Sequence, residues 1–308
     1  MKKILVIGAG KVGSSCAASL SARCLGPIFL YDRIEGLSTG RAMDINHARP
    51  CLESDSRVID CRRLEDAHEP DIIVFTAGSA RHAGMTRLDL LKSNISVVDE
   101  LAPQIVRSWP NAKMLVVTNP VDVITWHLRT AWPRMNSFGL GCCLDTVRFR
   151  YFIAEAASVS VSSVQGIVIG THDDHMIPLF SSASIGGVPV RMILGEDELH
   201  GIREKTRSAG GSIVKELKDH SGHLAAGEVI ACVVESIAHE RAMVFPLTTY
   251  LKGEYGYHGI CLSLPCVVDH TGVRNILEMN LHEDERTLLD ICACSMDEIT
   301  GSLQRTEP

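Results

Sequence analysis

The chain has 308 residues, long enough for a large core and two domains. Hydrophobic residues make up 45% of it, which excludes a disordered chain, and 22% charged residues with a net charge of −7 describe an ordinary acidic surface. No basic patch stands out, which argues against nucleic acid or an anionic membrane as a partner.

The chain opens on Met1-Lys-Lys and a short apolar run, Ile4 to Ile7, too brief for a signal or membrane-spanning segment. The expected strands of the first half are Lys3 to Ile7, Pro27 to Tyr31, Arg57 to Asp60, Ile72 to Thr76, Met114 to Thr118 and Ser137 to Gly139. Most are rich in Val, Ile and Leu, as strands buried on both faces should be. Helices are expected between them at Val12 to Cys24, Gly36 to Ala48, Thr86 to Trp109 and Pro120 to Ala131, with Pro120 at the first helical position and Pro110 ending the helix before it. This alternation predicts a doubly wound parallel sheet.

The second half reads as α+β. Helices are expected at Leu144 to Val159, Glu196 to Lys218, Ala225 to Ala242 and Asp284 to Leu303. Val164 to Ile169 reads as one strand, and Met243 to Tyr250 and Ile260 to Val268 as antiparallel strands. The domain boundary is placed near residue 142, giving domains 1–142 and 143–308. Eleven cysteines without C-x2-C spacing or a leader read as small buried hydrophobes in a reducing, cytoplasmic setting.

Gly8-Ala9-Gly10-Lys11-Val12-Gly13 follows the first strand and opens the first helix. In that place Gly8 permits a tight turn, Gly10 lets the backbone approach a pyrophosphate, and Gly13 allows close helix–strand packing, with the helix N-terminus facing the phosphates. Asp32 ends the second strand, 19 residues after Gly13, where a carboxylate accepts from the adenosine ribose hydroxyls and repels a 2′-phosphate. NAD is therefore expected; the adjacent Arg33 keeps NADP as the alternative.

Two further constellations carry chemistry. Arg81 and Arg87 lie in one loop after the fourth strand, a pair of guanidiniums suited to a small dicarboxylate; solvated loop charges are the plain alternative. Gly170-Thr-His172-Asp-Asp174-His-Met-Ile-Pro178 clusters polar residues after an apolar strand. His172 suits proton transfer near neutral pH, and a buried carboxylate would orient it. Asp145 is the candidate partner, sharing a helix face with Arg148. Zinc on His172, Asp173, Asp174 and His175 is the rival reading, but the H-E-x-x-H spacing and a nearby cysteine ligand are missing, so no metal is expected.

These motifs together resemble the lactate/malate dehydrogenase family, and within it the lactate-dehydrogenase-like malate dehydrogenases. The resemblance spans nearly the whole chain: Gly8 to Gly13, Asp32, Thr76-Ala77-Gly78, the Arg81 to Arg87 loop, Asn94, Thr118-Asn-Pro-Val-Asp122, Leu144 to Arg148, Gly170 to Pro178 and Tyr250 to Gly256. It implies a Rossmann domain that binds NAD, followed by an α+β substrate domain. It also implies reversible hydride transfer between malate and NAD, giving oxaloacetate and NADH, a step of the tricarboxylic acid cycle. By the same resemblance Arg87 polarises the substrate carbonyl, Arg148 binds the C1 carboxylate, His172 moves the proton, and Asp145 orients it. Asn119 bonds the reacting oxygen, Val117, Thr118 and Asn119 line the nicotinamide, and Thr76, Ala77, Gly78 and Asn94 belong to the cofactor site. Arg81 takes the position where a lactate enzyme carries glutamine and pairs with the second carboxylate. A homodimer or homotetramer is implied, with Gly36 to Ala48 as a contact surface.

The chain departs from the family at Asp173, where glycine usually follows the catalytic histidine. It departs again at His175, at His82-Ala83, and in the stretch Gly222 to Gly227 with its His223. A glycine-specific backbone angle would be disturbed at Asp173. A dehydrogenase for lactate or another 2-hydroxy acid is the alternative function, and an NAD-binding paralogue without efficient turnover is a second.

Overall fold

The structure is a computed structural model describing residues 1–79, 86–218 and 222–304. In chain order its elements are β1 (Ile4–Ile7), α1 (Lys11–Ala22), β2 (Ile28–Tyr31), α2 (Leu37–Leu52), β3 (Val58–Cys61), β4 (Ile72–Phe75), α3 (Arg87–Ser108), β5 (Lys113–Val116), α4 (Val121–Ala131) and β6 (Asn136–Gly139). There follow α5 (Cys143–Ala157), β7 (Val164–Gln165), β8 (Val168–Ile169), β9 (Ile177–Pro178), β10 (Ser184–Ile185), β11 (Val188–Pro189), α6 (Glu196–Leu217), α7 (Leu224–Ala238), β12 (Met243–Lys252), β13 (His258–Asp269), β14 (Gly272–Ile276) and α8 (Glu283–Gln304).

Two compact units emerge. The first groups residues 1–139, 223–243 and 267–275; the second groups 140–222, 244–266 and 276–308. In the first unit β3-β2-β1-β4-β5-β6 form a parallel sheet in that order. All residues of β1 and β4 are buried, which explains their unbroken apolar sequence: helices cover both faces, leaving no solvated side to alternate toward. The strand order reverses between β1 and β4, and doubly wound sheets bind ligands off the carboxyl ends of strands at such a reversal.

Helix α7, far along the sequence, packs on α1 within this unit. The approach is close enough that a Cβ on Gly227 would lie 2.4 Å from Ser15 Oγ, 2.8 Å from the Ser15 carbonyl carbon and 2.9 Å from Cys16 N. Arg23 anchors the same contact, donating to Glu228 and Glu235 at 2.7 Å each, while Ser19 donates to Glu228 at 2.6 Å. The Ser19 hydroxyl and Arg23 pull the Glu228 pKa down against the opposing effect of burial. The Ser19 and Arg23 hydrogen bonds dominate and hold its carboxyl below the usual range.

In the second unit Phe149, Ile153, Val164, Val168, Phe180, Val190 and Ile202 are buried together, with the Phe149 and Phe180 rings edge-to-face at 5.0 Å. The stretch expected as one strand, Val164 to Ile169, is two. Val164–Gln165 pairs with β10 and Val168–Ile169 with β9, both antiparallel. Gly166 lies in the break, where a Cβ would stand 3.0 Å from the Phe149 ring. The helix expected to reach Ala242 ends at Ala238, and Glu240 follows with φ 56, the left-handed conformation of a helix exit. Pro120 is the N-cap of α4, one place before the first helical position. Helix α2 runs past Ala48 and through Pro50 to Leu52.

All eleven cysteines are thiols outside any disulfide. Burial pushes the Cys61 and Cys266 thiols up to about 12, so both are protonated, unreactive packing groups at neutral pH.

Gly227→Ala tests the α1–α7 contact. An exposed helical Gly→Ala change stabilises by up to about 1 kcal/mol. Here the added methyl meets backbone, so a net loss of about 1–3 kcal/mol is expected from overpacking. Urea unfolding measures it, and a more stable variant would contradict the close approach.

Candidate active site

Within the first unit, the candidate cofactor residues gather at the carboxyl ends of β1, β2, β4 and β5. Gly8 has φ 104, and a Cβ there would lie 2.7 Å from Thr76 Oγ1; a Cβ on Gly13 would fall 1.8 Å from the Gly8 carbonyl oxygen. Glycine at these two places is demanded by the turn and by packing. Gly10 differs: a Cβ there meets no protein atom within 4 Å. Packing does not ask for glycine at Gly10, so the close backbone approach of a phosphate is the reason that fits.

Helix α1 has no side-chain cap and no acidic residue in its first turn, which suits an anion at its positive end. Ala9 and Gly13 are buried, Val12 half-buried, and Gly10 and Lys11 exposed. Asp32 Oδ2 accepts from Ala9 N at 2.7 Å and Oδ1 from Ile34 N at 2.9 Å. The carboxylate is thereby held against the β1–α1 turn.

The loops after β4 and β5 are tied together. Thr76 donates to Ile7 O at 2.9 Å, and Thr118 donates to Ala77 O at 2.7 Å. Asn94, almost fully buried on α3, accepts from Ser79 N at 2.7 Å and donates to Asn119 O at 2.7 Å. Its side chain is a strut between the two loops. Gly78 fits only as glycine: a Cβ would stand 2.6 Å from Thr118 Cγ2 and 2.8 Å from Asn94 Oδ1. The Asn119–Pro120 peptide is cis. Val117 continues from β5, its N–H donating to Phe75 O at 2.9 Å.

The second unit holds His172, the candidate acid–base group. His172 lies in the seven-residue connection 170–176 between β8 and β9, which pair antiparallel. Its Nδ1 is 2.5 Å from Asp145 Oδ2, and Arg148 Nη1 donates to Asp145 Oδ1 at 3.1 Å. Asp145 is completely buried in the first turn of α5, whereas the His172 and Arg148 side chains keep 20% and 16% exposure. Burial by itself would raise the Asp145 pKa. The adjacent His172 and Arg148 outweigh it and hold the carboxyl below its ordinary value. The Asp145 contact commits the Nδ1 face of the His172 ring.

Arg81 and the His82-Ala83 tip lie outside the described residues, and Arg87 is described only as the first residue of α3. That helix begins with a capping box, in which Thr86 accepts from Asp89 N and the Asp89 carboxylate accepts from Thr86 N, both at 3.1 Å. Asp173 does not take the strained backbone expected of a residue replacing glycine: it is absent from the positive-φ positions. His175 is exposed, and His223 occupies the N-cap position of α7 in the first unit without a side-chain capping hydrogen bond. Among the described residues no group of three or more His, Cys, Asp or Glu is arranged to hold a metal ion.

Some supporting residues had no signal in the sequence. Ser263 exchanges two backbone hydrogen bonds with Gly170, at 2.9 and 2.7 Å. Cys292 donates to His175 O at 3.5 Å and accepts from Thr171 Oγ1 at 3.7 Å. Gly210 on α6 lies beside Arg148, with Nη1 3.6 Å from where its Cβ would be. The Gly210-Gly211 pair inside a helix was the one hint available, since glycine there is unfavourable without a packing reason.

A dinucleotide-binding sheet in one unit and an oriented histidine in the other define the class: a nicotinamide-dependent dehydrogenase. Two family models match. Residues 2–136 match the lactate/malate dehydrogenase NAD binding domain, and residues 142–302 the lactate/malate dehydrogenase alpha/beta C-terminal domain. A malate dehydrogenase of Geobacillus thermodenitrificans is 37% identical over 292 residues, 94% of each chain. The solved malate dehydrogenase of Cryptosporidium parvum superposes with a TM-score of 0.94 at 31% identity, covering 99% of each chain. A lactate dehydrogenase of Eimeria maxima, solved with NADH and oxamate, also gives 0.94, at 29% identity, covering 100% of this chain and 97% of that one. The chain belongs to the lactate/malate dehydrogenase family, and NAD is its cofactor.

The Asp145 environment makes stability pH-dependent. A carboxyl whose pKa is lowered on folding contributes stability that is complete above its unfolded value and is lost as pH falls through the folded one. The stability difference between wild type and Asp145→Asn should therefore be largest above about pH 5 and shrink toward about pH 3, since an unperturbed Asp titrates near about 3.9. Urea titrations across that range measure it. A difference that does not change with pH would show that the ionised carboxylate is not what stabilises.

Proposed function

We propose that the protein is an NAD-dependent malate dehydrogenase, interconverting malate and NAD with oxaloacetate and NADH. The observation that carries this reading is the buried Asp145 bonded to both His172 and Arg148. When bound, the cofactor supplies or accepts the hydride. His172 Nε2 gives the proton to the carbonyl oxygen, or takes it from the hydroxyl in the reverse direction. Asp145 holds the ring by Nδ1 and stabilises the imidazolium. Arg148 spends part of one guanidinium nitrogen on Asp145 and offers its remaining donors to the C1 carboxylate.

Fold likeness does not choose between malate and lactate, because the match to a solved enzyme of each kind is equally good. Two lines favour malate. The curated relatives at 36–37% identity are named malate dehydrogenases. Arg81 would pair with the second carboxylate, and with pyruvate it would be left without a counter-charge in a closing site, which is costly. Arg87 would polarise the carbonyl in either case. Asn119 would bond the reacting oxygen, and the Val117 to Asn119 segment would face the nicotinamide.

Asp32 supports NAD over NADP through its carboxylate at the end of β2. Residues 1–142 form the proposed cofactor domain and 143–308 the substrate domain. Among the described residues no helix is long and apolar enough to cross a membrane. A cytoplasmic homodimer or homotetramer, acting in the tricarboxylic acid cycle, is the setting we propose.

Oxidation of NADH with oxaloacetate and with pyruvate tests the substrate. Arg81→Gln should lower kcat/KM for oxaloacetate more than roughly tenfold, about 1.4 kcal/mol of transition-state binding, and shift the ratio toward pyruvate. An unchanged ratio removes Arg81 from substrate selection. His172→Asn should cost about 10²–10⁴-fold in rate, as loss of a general acid does; near-normal turnover would remove His172 from its role.

A further inference from the structure

We propose that Asp173 is a positioning residue for His172, replacing by hydrogen bonds what the backbone alone does not hold in this chain; the proposal rests on the reading of His172 as the proton carrier. The hairpin that carries His172 is weak in its strands. β8 and β9 have two residues each and two register pairs, Val168↔Pro178 and Ile169↔Ile177. Seven residues intervene, too many for a tight turn to dictate their path. Side chains must therefore fix the loop.

Asp173 is placed to do so. Its Oδ1 accepts from Thr171 Oγ1 and from His175 N, both at 2.8 Å, and its own carbonyl accepts from Met176 N at 3.1 Å. One residue thus ties together the positions on both sides of His172. Other bonds to the loop include Gly170 with Ser263 at its start, Arg207 Nε with Met176 O at its end, the Cys142 and Cys292 sulfurs with Thr171, Cys292 with His175, and Asp145 with His172 itself.

The chemistry needs such a staple because His172 must keep Nδ1 on Asp145 while Nε2 faces the substrate. A misplacement of about 1 Å can cost about 10²-fold in rate. At this position the resemblance to the family leads one to expect glycine, which has no acceptor. Asp173 adds that acceptor without entering a strained backbone region.

The test compares Asp173→Ala and Asp173→Asn in the intact enzyme. Asn keeps the Oδ1 acceptor and should retain most of the wild-type kcat. Ala should lower kcat by about tenfold, with the KM for oxaloacetate and the thermal midpoint little changed. Hydrogen exchange of the 170–176 segment, followed by mass spectrometry without substrate, should speed up in Ala and not in Asn. Thr171→Val should lower kcat in the same direction, and the double variant should be no slower than Asp173→Ala alone, because the Thr171 hydrogen bond is already lost in Asp173→Ala. Wild-type kcat in Asp173→Ala would overturn the proposal, and so would equal losses in Ala and Asn. His172→Asn assayed alongside separates the two failures. If it is active, the proton-carrier reading fails; if it is inactive while Asp173→Ala is normal, only the staple fails.

Discussion

The burial of one carboxylate organises the catalytic unit. Asp145 has no exposure, and an ionised group cannot stay there without charged partners. His172 and Arg148 are those partners, one on each oxygen. The arrangement is reciprocal: the two partners hold the carboxyl below its ordinary pKa, and the carboxylate in return holds the Nδ1 side of the His172 ring. Arg148 comes from the next turn of the same helix and costs little chain entropy to recruit. His172 comes from a distant hairpin, so its arrival depends on the loop that carries it.

In the sheet unit the governing constraint is close backbone approach. Gly8, Gly13 and Gly78 each sit where a side-chain carbon would strike a neighbouring loop or carbonyl. Those contacts bring the ends of β1, β4 and β5 together, and Asn94 and Thr118 lock them with hydrogen bonds. Gly10 stands apart because nothing in the protein crowds it. Crowded and uncrowded glycines thus occur within one six-residue motif, separable only by what surrounds them.

The same fold serves lactate and malate enzymes, so substrate choice is a property of a few side chains and not of the architecture. The proton chemistry is common to both substrates, since each is a 2-hydroxy acid. The second carboxylate of malate is the chemical difference, and Arg81 is the residue suited to it.

The sequence by itself determined the parallel sheet, because strands covered on both faces must be apolar throughout and their helices must alternate with them. It also located the glycine turn, Asp32 and the polar cluster around His172, since each is a local motif with a local physical reason. Pairing across long separations was not legible. Gly166 breaking one strand into two depends on the Phe149 ring, and Asn94 bridging two loops depends on where α3 lies. Asp173 shows the difference most clearly. From sequence it reads as a disturbed glycine position, whereas the tertiary structure makes it a hydrogen-bond acceptor for Thr171 and His175 in an unstrained backbone. A residue's type sets what it can bond; only the folded chain decides which donors come within 3 Å of it.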